Sequence, residues 1–105
     1  MKSEVIKYWY EKYIFYLNDD IFVKMVVLSK TEYGADQNNE MMQTYKIISS
    51  FSEELPVEQM SKQLKDRLDT EGNIEEQFEL SKELFETCAS LSGKELLELN
   101  KKLIK

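Results

Sequence analysis

Residues 8–28, which read YWYEKYIFYLNDDIFVKMVVL, hold seven of the twelve aromatic residues in the chain. The Tyr, Trp, Ile, Phe and Val content of this stretch is typical of β-strands. One interpretation is therefore a β-hairpin, with strands over 6–17 and 21–28 and a turn at 18–20.

The polar residues of the same region favour a helix. Their spacings of three, four and seven residues place them on one stripe of a helix, and they are Glu4, Lys7, Glu11 and Asn18. In a strand, Glu11 and Lys12 would instead lie on opposite faces, each among bulky apolar residues. We therefore predict a first helix over 3–17 and keep the hairpin as the alternative.

This first helix would be apolar over much more than the ~100° stripe of an ordinary surface helix. Such a helix is either central to the fold or partly a contact surface, and we expect Trp9 to lie in the core. The residues that flank the core side of this helix are candidates for contact with a partner protein, because Tyr is a frequent anchor in interfaces. They are Tyr8 and Phe15 on one edge, and Tyr10 and Ile14 on the other.

The rest of the chain has the apolar periodicity of amphipathic helices. Further helices are predicted over 21–33, 37–51, 57–70, 74–91 and 93–104. The resulting fold class is all-α: a compact bundle of five or six short helices in a single domain that covers residues 1–105.

Local signals at helix ends support these boundaries. Gly34 and Gly72 stand where glycine commonly ends a helix, and Asp36 is an expected N-cap. Two pairs have the spacing of a capping box, in which each residue's side chain binds the other's backbone N–H. They are Asn73 with Glu76, and Ser92 with Glu95.

The composition is that of a globular protein with a net charge of −6. This charge argues against general nucleic-acid binding, which depends on positive charge. No run of about 18 apolar residues is present, so we expect no membrane insertion. The N-terminus lacks the features of a signal peptide and Cys88 has no second cysteine to pair with, which together predict a cytoplasmic protein.

The sequence offers no catalytic, cofactor-binding or metal-binding motif. The chain has no histidine, which removes the commonest general base and metal ligand. We therefore predict that the protein is not an enzyme and needs no cofactor. Acidic residues recur along one side of the helix predicted over 74–91, and the candidates for a docking surface among them are Glu75, Glu79, Glu83 and Glu86.

These observations predict a small acidic protein-binding module that regulates or inhibits another protein by occupying it. In size and helix layout such a protein is similar to small helical bacteriocin-immunity or phage-encoded inhibitor proteins, although no motif matches such a family residue by residue. A DNA-binding or transcription-associated regulator is the first alternative. A self-assembling structural subunit is the second.

Overall fold

A computed structural model describes residues 5–35 and 41–99. Within them the chain forms four strands, a short 3-10 helix and three α-helices. The strands are β1 (Val5–Tyr16), β2 (Ile21–Ala35), β3 (Met41–Pro56) and β4 (Ile74–Leu80). The helices are the 3-10 helix Val57–Gln59, α1 (Lys62–Glu71), α2 (Lys82–Ala89) and α3 (Gly93–Glu98).

The strands form one antiparallel sheet in the order β3-β2-β1-β4. The predicted all-α helical bundle is therefore wrong. The similarity in layout to helical immunity and inhibitor proteins has no basis in this fold either.

The hairpin alternative for residues 6–28 is the arrangement that forms. β1 and β2 pair continuously from Val5 opposite Tyr33 to Tyr16 opposite Phe22. The side chain of Asn18 stabilises the turn, because its Oδ1 accepts the backbone N–H groups of Asp20 and Ile21 at 2.8 and 2.9 Å. The predicted helix over 3–17 is thus replaced by β1.

Three more predicted helices are also wrong. The segments 21–33 and 37–51 lie largely in β2 and β3, and 74–91 is divided between β4 and α2. Gly34 continues β2 instead of ending a helix, and the capping box of Asn73 and Glu76 does not form because β4 begins at Ile74. The N-cap expected at Asp36 lies outside the described residues.

Two of the predicted helix-end signals are confirmed, at Gly72 and at Ser92 with Glu95. Gly72 ends α1 in a backbone conformation with φ of 85°, which favours glycine. Ser92 and Glu95 form the predicted capping box at the start of α3, with N···O distances of 3.3 and 3.1 Å. The helix predicted over 57–70 corresponds to the 3-10 helix and α1, whereas the end predicted at 104 for the last helix lies outside the described residues.

All three α-helices pack on the same face of the sheet. Apolar side chains fill two clusters between the helices and this face. The buried residues of the larger cluster are Tyr10, Val26, Leu28, Leu80, Cys88, Leu96 and Leu97. Those of the smaller cluster are Ile14, Phe22, Leu68 and Ile74.

The central position of β2 explains its near-continuous run of apolar residues. It lies between β1 and β3, and residues 26–29 are buried without interruption. A strand that is buried on both faces does not show polar and apolar alternation. Its short apolar run therefore resembles a buried helix in sequence, which is why periodicity alone failed to identify it.

Candidate functional site

The two faces of the sheet differ in what covers them. Successive side chains of a strand point to opposite faces, and the even-numbered residues of β1 meet the helices. The Tyr8 ring lies 4.5 Å from the Phe85 ring of α2, and the Tyr10 hydroxyl donates to the carbonyl oxygen of Leu96 in α3 at 2.7 Å. We call this the covered face.

The odd-numbered residues of β1 point to the other face, on which no helix of the described residues packs. We call it the open face. Its residues from β1 are Val5, Lys7, Trp9, Glu11, Tyr13 and Phe15, and the strand register places them beside Tyr33, Thr31, Ser29, Val27, Met25 and Val23 of β2. From β4 it carries Glu75, Gln77 and Glu79.

A carboxylate is buried at the centre of the open face. Glu11 is 6% exposed and accepts three hydroxyl hydrogen bonds. Tyr13 donates to Oε1 at 2.7 Å, Ser29 donates to Oε2 at 2.6 Å, and Tyr45 of β3 also donates to Oε2. We call these four residues the Glu11 cluster. The three donors compensate for much of the cost of burying a charge.

The phenols of the Glu11 cluster are held in their protonated form. Burial and the hydrogen bond to the Glu11 carboxylate raise the pKa of Tyr13 well above its usual range. The same two causes raise the pKa of Tyr45. Both oxygens of the carboxylate are occupied by donors that keep their protons. The cluster is therefore suited to fixing side chains in place, and the raised pKa of each of its two phenols makes these groups poor general acids or bases.

Three large aromatic side chains of β1 lie on the open face, and one of them, Tyr13, also belongs to the Glu11 cluster. Trp9, Tyr13 and Phe15 are all half-buried, so each ring keeps some contact with solvent. The indole of Trp9 is oriented by donation from its Nε1 to the Thr31 hydroxyl at 3.0 Å. We call these three residues the aromatic patch. Two of its rings are thus held by hydrogen bonds to the sheet itself.

The aromatic patch has an acidic border on β4. Glu75 and Glu79 are exposed, and the register places them beside Tyr13 and Trp9 respectively. Lys7 lies 3.9 Å from Glu79, a distance typical of a weak surface ion pair. A shallow groove between β1 and β4 is lined by Glu11, Tyr13, Glu75, Glu76 and Gln77.

The structure separates the candidate site residues predicted from the sequence. Phe15, Glu75 and Glu79 come together on the open face. Tyr8 and Tyr10 lie on the covered face, where Tyr10 is completely buried and offers no surface to a partner. Glu83 and Glu86 are exposed on α2, on the other side of the sheet.

The predicted acidic face of one helix is therefore divided between β4 and α2. Trp9 was expected in the core but belongs to the aromatic patch, and the roles of Glu11, Tyr13 and Tyr45 were missed. Alternation of side chains along β1 would have placed Trp9, Tyr13 and Phe15 on one face. No sequence signal joins Tyr45 to Glu11, because they are 34 positions apart.

The described residues show no arrangement suited to metal or thiol chemistry. Among them, no three His, Cys, Asp or Glu side chains are grouped so that they could hold a metal ion. Cys88 is buried on the covered face, and burial raises the pKa of its thiol. A thiol in this environment is a poor nucleophile.

None of the helices in the described part of the chain is long and apolar enough to cross a membrane. Comparisons with protein-family models, with curated proteins and with solved structures find no match.

Proposed function

We propose that the protein is a binding module that regulates or inhibits another protein by docking it on the open face. The observation that carries the proposal is the aromatic patch, in which Trp9, Tyr13 and Phe15 remain partly exposed on a face that no described helix covers. Trp and Tyr are enriched among the residues that supply most of the energy of protein interfaces. Such rings lose little conformational entropy when a partner binds, provided that they are already fixed.

Hydrogen bonds fix two of these rings before any partner arrives. Tyr13 is held by Glu11 at 2.7 Å, and Trp9 is held by Thr31 at 3.0 Å. The buried carboxylate is thus proposed to act as a support for the contact surface. This role would explain why a costly buried charge lies beneath a contact surface.

The charge of the open face suggests the chemistry of the partner. Glu75 and Glu79 border the aromatic patch, and the chain as a whole carries a net charge of −6. A partner with an apolar centre and a rim of Lys or Arg residues would complement both features. Long-range attraction would then accelerate its association, with a strong dependence on salt.

We propose that this activity takes place in the cytoplasm and needs no cofactor. Occupying a partner's surface involves no chemical step, which is consistent with the absence of histidine from the chain. The free thiol of Cys88, buried in the core, is compatible with a reducing compartment.

The experiment that tests this function uses two matched charge reversals. The first variant, Glu75→Lys with Glu79→Lys, changes the border of the aromatic patch. The second, Glu83→Lys with Glu86→Lys, makes the same change in net charge on α2, on the other side of the sheet. All four residues are exposed, so both variants should fold.

The protein would first be used to capture partners from a lysate of its host, with and without nuclease treatment, and affinity for the captured protein would then be measured. We expect the first variant to bind at least about tenfold more weakly and the second to change affinity by less than about threefold. Equal losses of affinity in both variants would show that the effect depends only on net charge, and would contradict docking on the open face. Capture that requires intact nucleic acid would contradict the proposal and favour a DNA-binding regulator.

A further inference from the structure

One edge of the sheet carries an unusual run of exposed apolar residues. All ten residues of 41–50, the first part of β3, are exposed, and β3 is an edge strand. The large apolar side chains among them are Met41, Met42, Tyr45, Ile47 and Ile48, with exposed fractions between 41% and 77%. We call residues 41–50 the β3 edge. Proteins normally protect such an edge because its free N–H and C=O groups can pair with another strand.

The β3 edge lacks the usual protection by charge. Lys46 is the single charged residue in the sequence 41–50, although the chain carries a net charge of −6. The described helices also pack next to a later part of β3, where Gly93 of α3 approaches the Phe51 ring. A β-bulge gives this edge some protection. A register shift leaves Ile48 as an extra residue between the pairs Leu28–Ser49 and Ser29–Ile47. This bulge limits a regular free edge to residues 41–47.

The opposite edge of the sheet is protected. β4 has seven residues, and its sequence IEEQFEL contains three glutamates. Glu75 and Glu79 are exposed on it. Acidic side chains on a short edge strand oppose pairing with a second acidic chain. The sheet therefore has one edge that favours strand pairing and one that opposes it.

We infer that a second copy of this chain pairs with the β3 edge, with the two β3 strands antiparallel across a two-fold axis. A two-fold interface must be complementary to itself, and a strand with one charge in ten residues meets this condition better than any strongly charged surface would. Two molecules with a net charge of −6 approach most easily where negative side chains are absent. The β3 edge is such a place.

The two different edges also explain why the assembly would stop at two copies. Joining the β3 edges gives a continuous eight-stranded sheet in which β4 forms both outer edges. Head-to-tail pairing of β3 with β4 would instead grow without limit. It would also place the apolar side chains of the β3 edge beside the glutamates of β4, which would lose contact with water.

The dimer goes beyond the proposed function and does not depend on it. Side chains of the two open faces would lie on the same side of the joined sheet, because a two-fold axis perpendicular to the sheet preserves its faces. A dimer would thus present two aromatic patches on one surface. A partner with two contact sites, or two partners side by side, would then gain affinity from bivalency.

The oligomeric state of two matched variants tests this inference. Ile47→Lys places a charge in the β3 edge, and Leu17→Lys makes the same change at the turn between β1 and β2. The two side chains have similar exposed fractions, 58% and 54%. Molar mass would be measured by light scattering or sedimentation over a range of concentrations, with circular dichroism as the check on folding.

We expect the unchanged protein and Leu17→Lys to be dimers, and Ile47→Lys to be a folded monomer. The inference would be overturned if the protein without substitutions were monomeric at every concentration up to its solubility limit. A mass that rises steadily with concentration would also overturn it, because it would show open-ended assembly. Dimers of equal stability in all three proteins would place the interface elsewhere.

Cysteine crosslinking tests the antiparallel symmetry directly. In a two-fold strand pair, a residue near the axis lies beside its own copy, so a single introduced cysteine can form an intermolecular disulfide. We expect at least one of Gln43→Cys, Thr44→Cys and Lys46→Cys to give a covalent dimer on mild oxidation, and Glu79→Cys on β4 to give none. The natural Cys88 is buried and should not interfere. Crosslinking at Glu79→Cys alone would contradict pairing through β3.

Discussion

The phenol of Tyr45 on β3 donates a hydrogen bond to the carboxylate of Glu11 on β1, and β2 lies between these two strands. Tyr45 is paired with Thr31 and Glu11 with Val27, so the tyrosine side chain crosses β2 diagonally. This contact connects the exposed part of an edge strand to the centre of the sheet. It therefore contributes both to the stability of the β3 edge and to the order of the open face.

Removing the Tyr45 hydroxyl should destabilise the protein measurably. Tyr45→Phe takes one of three donors from a buried carboxylate, and a hydrogen bond to a charged group contributes about 1.5–3 kcal/mol. Because Tyr45 is 47% exposed, we expect a loss near the lower limit of this range in the free energy of unfolding, measured with urea. Tyr33→Phe on β2 removes a hydroxyl outside the Glu11 cluster and should change stability by less than about 0.5 kcal/mol. Equal losses would show that Glu11 does not depend on Tyr45.

The raised pKa of Tyr13 predicts a loss of stability in alkaline solution. Burial, followed by the hydrogen bond to Glu11, makes the folded protein retain this proton above the unfolded pKa of about 10. Below that pH, both states are protonated and the stabilising contribution is complete. Above it, the unfolded state loses its proton first, so the free energy of unfolding falls as pH rises.

This prediction can be checked by urea unfolding at neutral pH and at several values above about 10. Tyr13→Phe should be less stable than the unchanged protein at neutral pH, and its stability should fall less steeply in the alkaline range. Phe15→Leu, on the same face and without a titrating group, should keep the slope of the unchanged protein. An unchanged alkaline slope in Tyr13→Phe would rule out a significant shift at Tyr13.

The contact between α3 and β3 requires glycine at position 93. A Cβ atom added to Gly93 would lie 2.2 Å from Cδ1 of the Phe51 ring, well inside van der Waals contact. Gly93→Ala should therefore displace α3 or the ring and destabilise the protein by about 1–3 kcal/mol, the range for overpacking. Lys94→Ala at the next, exposed position should have little effect on thermal unfolding. A neutral or stabilising Gly93→Ala would mean that Phe51 moves aside without cost.

Features that depend on a few neighbouring residues could be predicted from the sequence. The capping box of Ser92 and Glu95 and the glycine end of α1 at Gly72 were correct, because these signals act within a single helical turn. The capping box expected from Asn73 and Glu76 has the same spacing but is absent. Its residues lie at the start of β4, whose pairing with β1 overrides the local preference.

The error over β1 has a different physical cause. A charged residue at position 11 seemed incompatible with a strand that is apolar on both sides, and this favoured a helix. In the structure, hydroxyl groups from β1, β2 and β3 satisfy the Glu11 carboxylate. The donors Ser29 and Tyr45 are 18 and 34 positions away, so their contribution could not be seen from local spacing. The aromatic content of the stretch was the more reliable signal.

The candidate site was predicted only in part for the same reason. Phe15, Glu75 and Glu79 share the open face because strand pairing brings β1 and β4 together. The assumption of one continuous helix joined Glu75 and Glu79 to Glu83 and Glu86 instead. The chain changes from strand to helix near Ser81, whose side chain caps the start of α2. Glu83 and Glu86 therefore lie on the other side of the sheet.

The hydroxyl of Tyr10 connects the sheet to α3 and should control the opening of that helix. Tyr10 is completely buried, and it donates to the carbonyl oxygen of Leu96 at 2.7 Å. Tyr10→Phe removes this bond and leaves the ring in the core, so we expect a loss of about 1 kcal/mol. Because α3 has only six residues, most of its backbone groups lie near a helix end, and the loss should appear first as local opening.

Hydrogen exchange measured by mass spectrometry distinguishes local from global effects of this change. In Tyr10→Phe, amides of α3 should exchange faster, whereas those in the paired parts of β1 and β2 should change much less. Trp9→Phe, on the same strand but on the open face, removes the bond to Thr31 and should leave α3 protected. Faster exchange spread evenly over the sheet and α3 would contradict a local role and show that Tyr10 stabilises the fold as one cooperative unit.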